Sequence, residues 1–222
     1  MVDSAQFLSP PHGNVKVTYS DWLNAARDIL VRRGVEDVKV LTLSAELGVS
    51  RSSFYWYFKD RKALLDDLVM QWEAANIKTF VEYCELPAKG IDEAVCNFFR
   101  CFINPELLDK RLDFAIREWA RRDPSVRDRL DQADTTRLNA VTSMFTRFDY
   151  PAEEAEWRAR IIYFMQLGYH ALEIREDMET RLSRLQGYIK GFTGREADPK
   201  VVADFYAYSR KVSASSEVTV AQ

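Results

Sequence analysis

Residues 43–65, LSAELGVSRSSFYWYFKDRKALL, decide how this chain is read. The segment scans as a helix, a tight turn, a short aromatic helix and the opening of a longer one. Leu43, Leu47, Phe54 and Phe58 recur at the spacing of a core-facing helical stripe. Gly48 stands where the turn needs left-handed backbone, and Ser50 is placed to cap the helix that follows. That helix, expected over residues 50–57, is too short to serve stability alone. Its outer face carries Arg51, Ser52, Tyr55, Trp56, Tyr57 and Lys59, a set rich in donors and rings. A face of this kind, held out by a helix-turn-helix, is what reading base edges in a DNA major groove requires.

Upstream, the pattern predicts a first helix over Tyr19–Arg33, with Trp22, Ala26, Ile29 and Leu30 inward and Gly34 ending it. A second covers residues 40–47. Asp60 is placed to cap a fourth helix that runs to about Cys84, with Leu64, Leu65, Leu68 and Trp72 inward. Downstream, further helices are expected over residues 91–103, 105–122, 124–148, 151–175, 179–189 and 199–211. Pro87, Gly90, Pro105, Pro124 and Pro151 punctuate them. Gly and Pro are sparse, charge is high and well mixed, and apolar residues recur at three and four. The expected fold is all-α: a helix-turn-helix three-helix domain over residues 18–63, then a larger helical domain over 64–212. Residues 1–17 and 213–222 read as flexible tails.

Charge limits the kind of binding. The chain carries a net −3, and residues 1–70 hold nine Lys plus Arg against nine Asp plus Glu. Non-specific, charge-driven attachment to nucleic acid is therefore disfavoured, whereas a few well-placed phosphate contacts are not. The first seventeen residues lack the apolar core of a signal peptide, and the apolar stretch 161–172 is too short to span a bilayer. These features predict a cytoplasmic protein with no membrane partner. Cys84, Cys96 and Cys101 are an odd set, read as reduced, buried thiols, with redox sensing as the alternative. With only His12 and His170, a His-based metal site is not expected, nor is a cofactor. No nucleophile–base pair or phosphate-cradling Gly loop suggests catalysis.

The segment around Ile161 is apolar almost all round, which predicts burial on every side. One side can pack on its own domain and the other on a second subunit, with Gly168 admitting a close partner. The expected dimer interface takes Ile161, Ile162, Met165, Gly168 and Leu172 from this helix. Leu182, Leu185 and Ile189 come from the next, completing a four-helix arrangement across two subunits. The alternative is a central helix of a monomeric bundle.

From about Tyr19 to Met70 the chain resembles the DNA-binding domain of the TetR family of bacterial transcriptional regulators. The likeness rests on the helix ending at Gly34, on Leu43 with Ser44, and on Leu47, Gly48, Val49 and Ser50. It continues through Ser53, Phe54, Tyr55, Tyr57 and Phe58 to the Leu64–Leu65 pair. The resemblance implies that Arg51, Ser52 and Tyr55 read bases, with Trp56 adding apolar contact. It also implies that Thr42, Ser53, Tyr57, Lys59 and Arg61 meet the DNA backbone. The family usually has Lys where Arg61 stands, and Arg keeps the charge with different geometry.

The same resemblance implies a homodimer on a double-stranded, palindromic operator, and a small-molecule effector held in the C-terminal domain. The lining expected for that effector is Phe98, Phe99, Phe102, Phe114, Trp119, Phe164 and Tyr169, with Arg117 and His170 as polar anchors. Two other readings compete: an all-helical small-molecule-binding protein or enzyme with a vestigial helix-turn-helix, and a module that binds another protein.

Overall fold

The computed structural model describes residues 17–220, and of residues 216–220 only the backbone. The N-terminal arm read from the sequence thus lies, apart from Val17, outside the described residues. All regular structure among the described residues is helical. The described residues divide into two compact units, one ending at Leu68 and one beginning at Val69, and the division falls within one helix, α4 (Arg61–Trp72).

The first unit begins with α1, Tyr19–Arg33, opened by a capping box in which Thr18 and Asp21 satisfy each other's backbone and side-chain groups. Its buried face is Trp22, Ala26, Ile29 and Leu30, joined by Leu23 and Ala25. Helix α2, Val40–Leu47, ends at Gly48 with φ +66°, the left-handed C-cap expected there. Helix α3 is shorter than expected, Arg51–Phe54, and residues 55–57 form a turn in place of a further helical turn. Ser50 occupies the cap position, but its hydroxyl lies 2.8 Å from that of Ser52 instead of capping the backbone. At the start of α4, Asp60 acts as the cap by accepting from the Ala63 amide at 2.9 Å.

The second unit holds the rest. The single helix expected to run on to Cys84 is interrupted by a π-helical segment, Glu73–Ile77, before α5, Lys78–Glu85. The widened turn buries Asn76, whose amide donates to the Asp109 carbonyl at 3.2 Å. Helix α6 is Ile91–Ile103 and α7 is Lys110–Ala120, which corrects the start expected at Pro105. Asn104 accepts from the Glu106 amide and Asp109 from the Leu112 amide, so a turn precedes the true N-cap. Helix α8, Pro124–Thr146, packs against α9, Ala152–Ala171.

The helix expected over 179–189 is two: α10, Met178–Ser183, and α11, Leu185–Thr193. The apolar stripe Leu182, Leu185, Ile189 runs through the break at Arg184, so periodicity alone reads it as continuous. The last helix, α12, extends over Pro199–Val220, where a flexible tail from residue 213 was expected. Buried Phe205 and Ser209 anchor it, and the polar sequence beyond continues as helix. Residues 221–222 lie outside the described residues.

The core of this unit gathers Phe80, Phe98, Phe102, Phe145, Ile162, Tyr163 and Ile189 among others. A polar cluster is sealed beside it. Asp113 accepts from Trp72 Nε1 at 3.0 Å, Arg117 Nε at 3.0 Å and Arg137 Nη2 at 2.7 Å. Asp134 takes both terminal nitrogens of Arg117, at 2.8 and 2.6 Å, and the Tyr163 hydroxyl at 2.8 Å. The three thiols are buried. Burial raises all three away from the reactive thiolate, Cys84 well above its usual value and Cys96 and Cys101 to about 12. Among the described residues no helix is long and apolar enough to cross a membrane, and no cluster could hold a metal ion.

Candidate nucleic-acid interface and cavity

In the first unit a small aromatic core sets the orientation of α3. Phe54 meets Trp22 edge-on at 5.3 Å and stacks on Phe58 at 5.3 Å, and Phe58 stacks on Tyr19 at 5.0 Å. Trp22, Phe54 and Phe58 are buried, so the short α3 is pinned from beneath. Its opposite side must then point outward. Arg51, Ser52 and Lys59 are exposed, Tyr55 is 61% exposed, and Trp56 is 82% exposed. The Tyr55 ring edge still rests on Phe54 at 5.3 Å, which leaves its hydroxyl end in solvent. A tryptophan exposed to this degree contributes little to the core.

The residues expected at a DNA backbone divide into two groups. Thr42 is half-buried on α2, and Lys59 extends from the turn after α3. Ser53, Tyr57 and Arg61 each spend hydrogen bonds within the unit. The Ser53 hydroxyl donates to the Ser50 carbonyl at 2.7 Å, and the Tyr57 hydroxyl to the Val17 carbonyl at 2.8 Å. Arg61 donates through Nε to Val38 and through Nη2 to Val35, both at 2.5 Å. Its guanidinium therefore braces the start of α4 against the 35–38 turn, a use that the expectation of a phosphate contact did not anticipate.

In the second unit a cavity of about 80 Å³ opens between α6, α9, α10, α11 and α12. Of the lining expected from sequence, Phe99, Phe102 and Tyr169 border it. Phe98 and Trp119 are instead packed in the interior, Phe114 lies against His170, and Phe164 faces outward. Arg117 is consumed by Asp113 and Asp134 and is no anchor for a ligand. His170 does not border the cavity but pairs with Gln166, which does, at 2.8 Å. Burial, then the nearby Lys110 and Arg181, push the imidazole down to about 4, so it is neutral at pH 7.

Met165, Leu182 and Leu185, expected at the dimer interface, line the cavity. Ile162 and Ile189 are fully buried within the chain and cannot meet a partner either. The outward stripe of α9 is different. Trp157, Ile161, Phe164 and Leu172 are large apolar side chains left exposed, Leu172 at 75%. They follow one another at four, three and eight residues, one face of a helix. Gly168 lies within that face, and nothing stands within 4 Å of the space its missing side chain would fill. Of the residues expected at an interface from this segment, Ile161, Gly168 and Leu172 lie on the outward side, whereas Ile162 is buried and Met165 borders the cavity.

Residues the sequence reading passed over include Arg181, Met178 and Tyr188, all bordering the cavity. Arg181 sits directly before Leu182 in the apolar stripe, and a cation there is the one signal that could have drawn notice.

Residues 23–68 match the family described as bacterial regulatory proteins, tetR family. No curated protein matches the chain. Among solved structures, the chain resembles the ketosteroid transcriptional regulator KstR2 of Mycobacterium tuberculosis, at 14% identity and TM-score 0.61, covering 84% of this chain and 98% of that one. It also resembles a TetR-family transcriptional regulator from Marinobacter aquaeolei VT8, at 13% identity and TM-score 0.60, over 88% and 98% of the two chains. A third likeness is to a protein of Saccharomonospora viridis described as a transcriptional regulator and solved in complex with choline. There the identity is 16% and the TM-score 0.62, over 80% and 95%. At these identities the structural likeness establishes the fold.

Proposed function

We propose that this chain, which belongs to the TetR family of bacterial transcriptional regulators through residues 23–68, is a dimeric repressor that leaves its operator when a small molecule binds. It is a DNA-binding transcriptional regulator, not an enzyme. The observation that carries the finer reading is the outward face of Arg51, Ser52, Tyr55 and Trp56, pinned from below by Phe54 and Phe58. Arg51 supplies the bidentate donor suited to guanine O6 and N7, and the two rings suit thymine methyls and sugars. One such short element reads few base pairs. Two, related by a twofold axis, read a palindrome.

The exposed α9 stripe supports that pairing. Trp157, Ile161, Phe164 and Leu172 form a face that a second copy of the same helix would cover, with Gly168 allowing close approach. The cavity in the second unit supports an effector, as does the structural relative solved with choline. To lower operator affinity a thousandfold, the effector must bind the non-reading arrangement more tightly by about 4 kcal/mol.

The test is a gel-shift of the purified protein on DNA flanking its own coding region, with Arg51→Ala as control. Specific retardation is expected, with affinity about 5- to 150-fold lower in the variant while its circular dichroism is unchanged. Equal retardation by both proteins would remove Arg51 from the reading face.

A further inference from the structure

The cavity has an uneven chemistry that bears on what fills it. Its wall is largely apolar and aromatic, from Phe99, Phe102, Met165, Leu185 and Phe205. Among the described residues no Asp or Glu borders it, and Arg181 is its one charged lining residue. The guanidinium is half-committed. Nη2 donates to the Ile174 carbonyl at 3.2 Å, and the group lies 4.6 Å from the centre of the Tyr169 ring. Nε, however, is buried and has no hydrogen-bond partner among the described residues. Arg100 Nε and Arg137 Nε are likewise buried without a partner, so what sets Arg181 apart is its place in the cavity wall, where it is the one charged side chain and has no ion pair among the described residues.

The surroundings add to the same sign. Lys110 is close enough to Arg181 and to His170 to act on both electrostatically, and its ammonium donates to the Phe102 carbonyl, the backbone of a lining residue. The acidic group beside Tyr169 is Glu176. It is already held by the Tyr169 hydroxyl and by Arg184, and it does not border the cavity. A cationic ligand would therefore meet the Arg181 guanidinium and no lining carboxylate. A wholly apolar ligand would offer the lining guanidinium no acceptor.

We infer that the effector is a compact organic carboxylate. Its carboxylate accepts from Arg181, and its hydrocarbon or aromatic body lies among Phe99, Phe102, Met165 and Phe205. Gln166, steadied by neutral His170, offers a second polar contact in the same wall. A charge-assisted bond inside an apolar wall sets a strong preference for an anionic headgroup over a neutral one of the same shape. The inference rests on the reading that this cavity is the effector site.

The test uses three probes with one body and different heads: 4-phenylbutyrate, 4-phenylbutan-1-ol and 4-phenylbutylamine. Binding to the full chain is measured by calorimetry at pH 7.5, alongside Arg181→Met and Arg181→Lys. The carboxylate is expected to bind the native protein at least about tenfold more tightly than either other probe. Arg181→Met should erase that preference with circular dichroism unchanged, and Arg181→Lys should keep part of it. Equal binding of the three heads, preference for the amine, no binding of any probe, or a preference that survives Arg181→Met would overturn the assignment.

Operator retardation, measured in parallel with saturating probe, separates the two claims. Release without headgroup preference sinks the carboxylate assignment and leaves effector control standing. Carboxylate preference without release does the reverse.

Discussion

Replacing Asp113 by Asn tests the polar cluster that ties α7 and α8 to the start of the second unit. Asp113 is almost wholly enclosed and accepts three hydrogen bonds, two from guanidinium groups and one from the Trp72 indole. Arg137 is equally enclosed, with its guanidinium over the Trp72 and Phe80 rings. Two arginines face two aspartates, Asp113 and Asp134, and the buried charges balance. Asparagine removes one negative charge and turns an N–H group towards donors. Breaking a buried pair in this way costs about 3–5 kcal/mol. For a unit of this size that corresponds to a fall in melting temperature of roughly 6–20 °C.

The pH dependence follows from the same contacts. Burial pushes the Asp113 carboxyl up, but Arg137 and Arg117 outweigh it and hold the group below its ordinary range. A depressed carboxylate contributes stability at pH above its unfolded value and loses it as pH falls through the folded one. The stability gap between the native chain and Asp113→Asn should be constant from about pH 5 to 8 and close below about pH 4. Melts followed by circular dichroism measure both quantities. A fall of less than about 2 °C at pH 7 would show that the cluster contributes no net stability, and the reasoning would fail.

Two further outcomes follow from exposed and strained positions. Phe164→Asp places a charge in the outward stripe of α9 without touching the core, so light scattering should report a dimer for the native chain and a monomer for the variant. A monomeric native chain would remove the basis for a paired operator. Gly48→Ala meets no atom within 4 Å, so its cost is the left-handed backbone alone, about 1–2 kcal/mol, read as a lower melting temperature of the first unit. No loss there would mean that the turn relaxes to another conformation.

Much of the first unit was legible because its signals are local. A glycine at a left-handed turn, an acidic cap before Arg61 and aromatic residues at helical spacing each constrain only near neighbours, and Tyr19–Arg33 and Val40–Leu47 formed as read. The errors lie where a contact outside that local pattern decides. Ser50 pairs with Ser52 instead of its helix, and Arg61 braces two carbonyls more than twenty residues away. Pro105 looked like a helix start, but Asp109 holds the cap.

The second unit divides more sharply. Periodicity yields the helices of 91–193 because a buried stripe must recur every three or four residues, whatever covers it. It cannot say what that cover is. Ile162 and Ile189 lie in the core, Leu182 and Leu185 border a cavity, and Ile161 and Leu172 face outward, although all six are apolar residues with helical spacing. Arg117 and Arg181 are both arginines on helices, yet one is bound by two aspartates and the other keeps an unpaired N–H beside a cavity. The sequence alone determined the all-helical fold and which side of the helix-turn-helix faces outward, since both depend on local spacing and turn chemistry. Which apolar face is core, cavity or exposed, and which arginine is bound by aspartates and which borders a cavity, depends on segments far apart in the chain, and only their packing decided it.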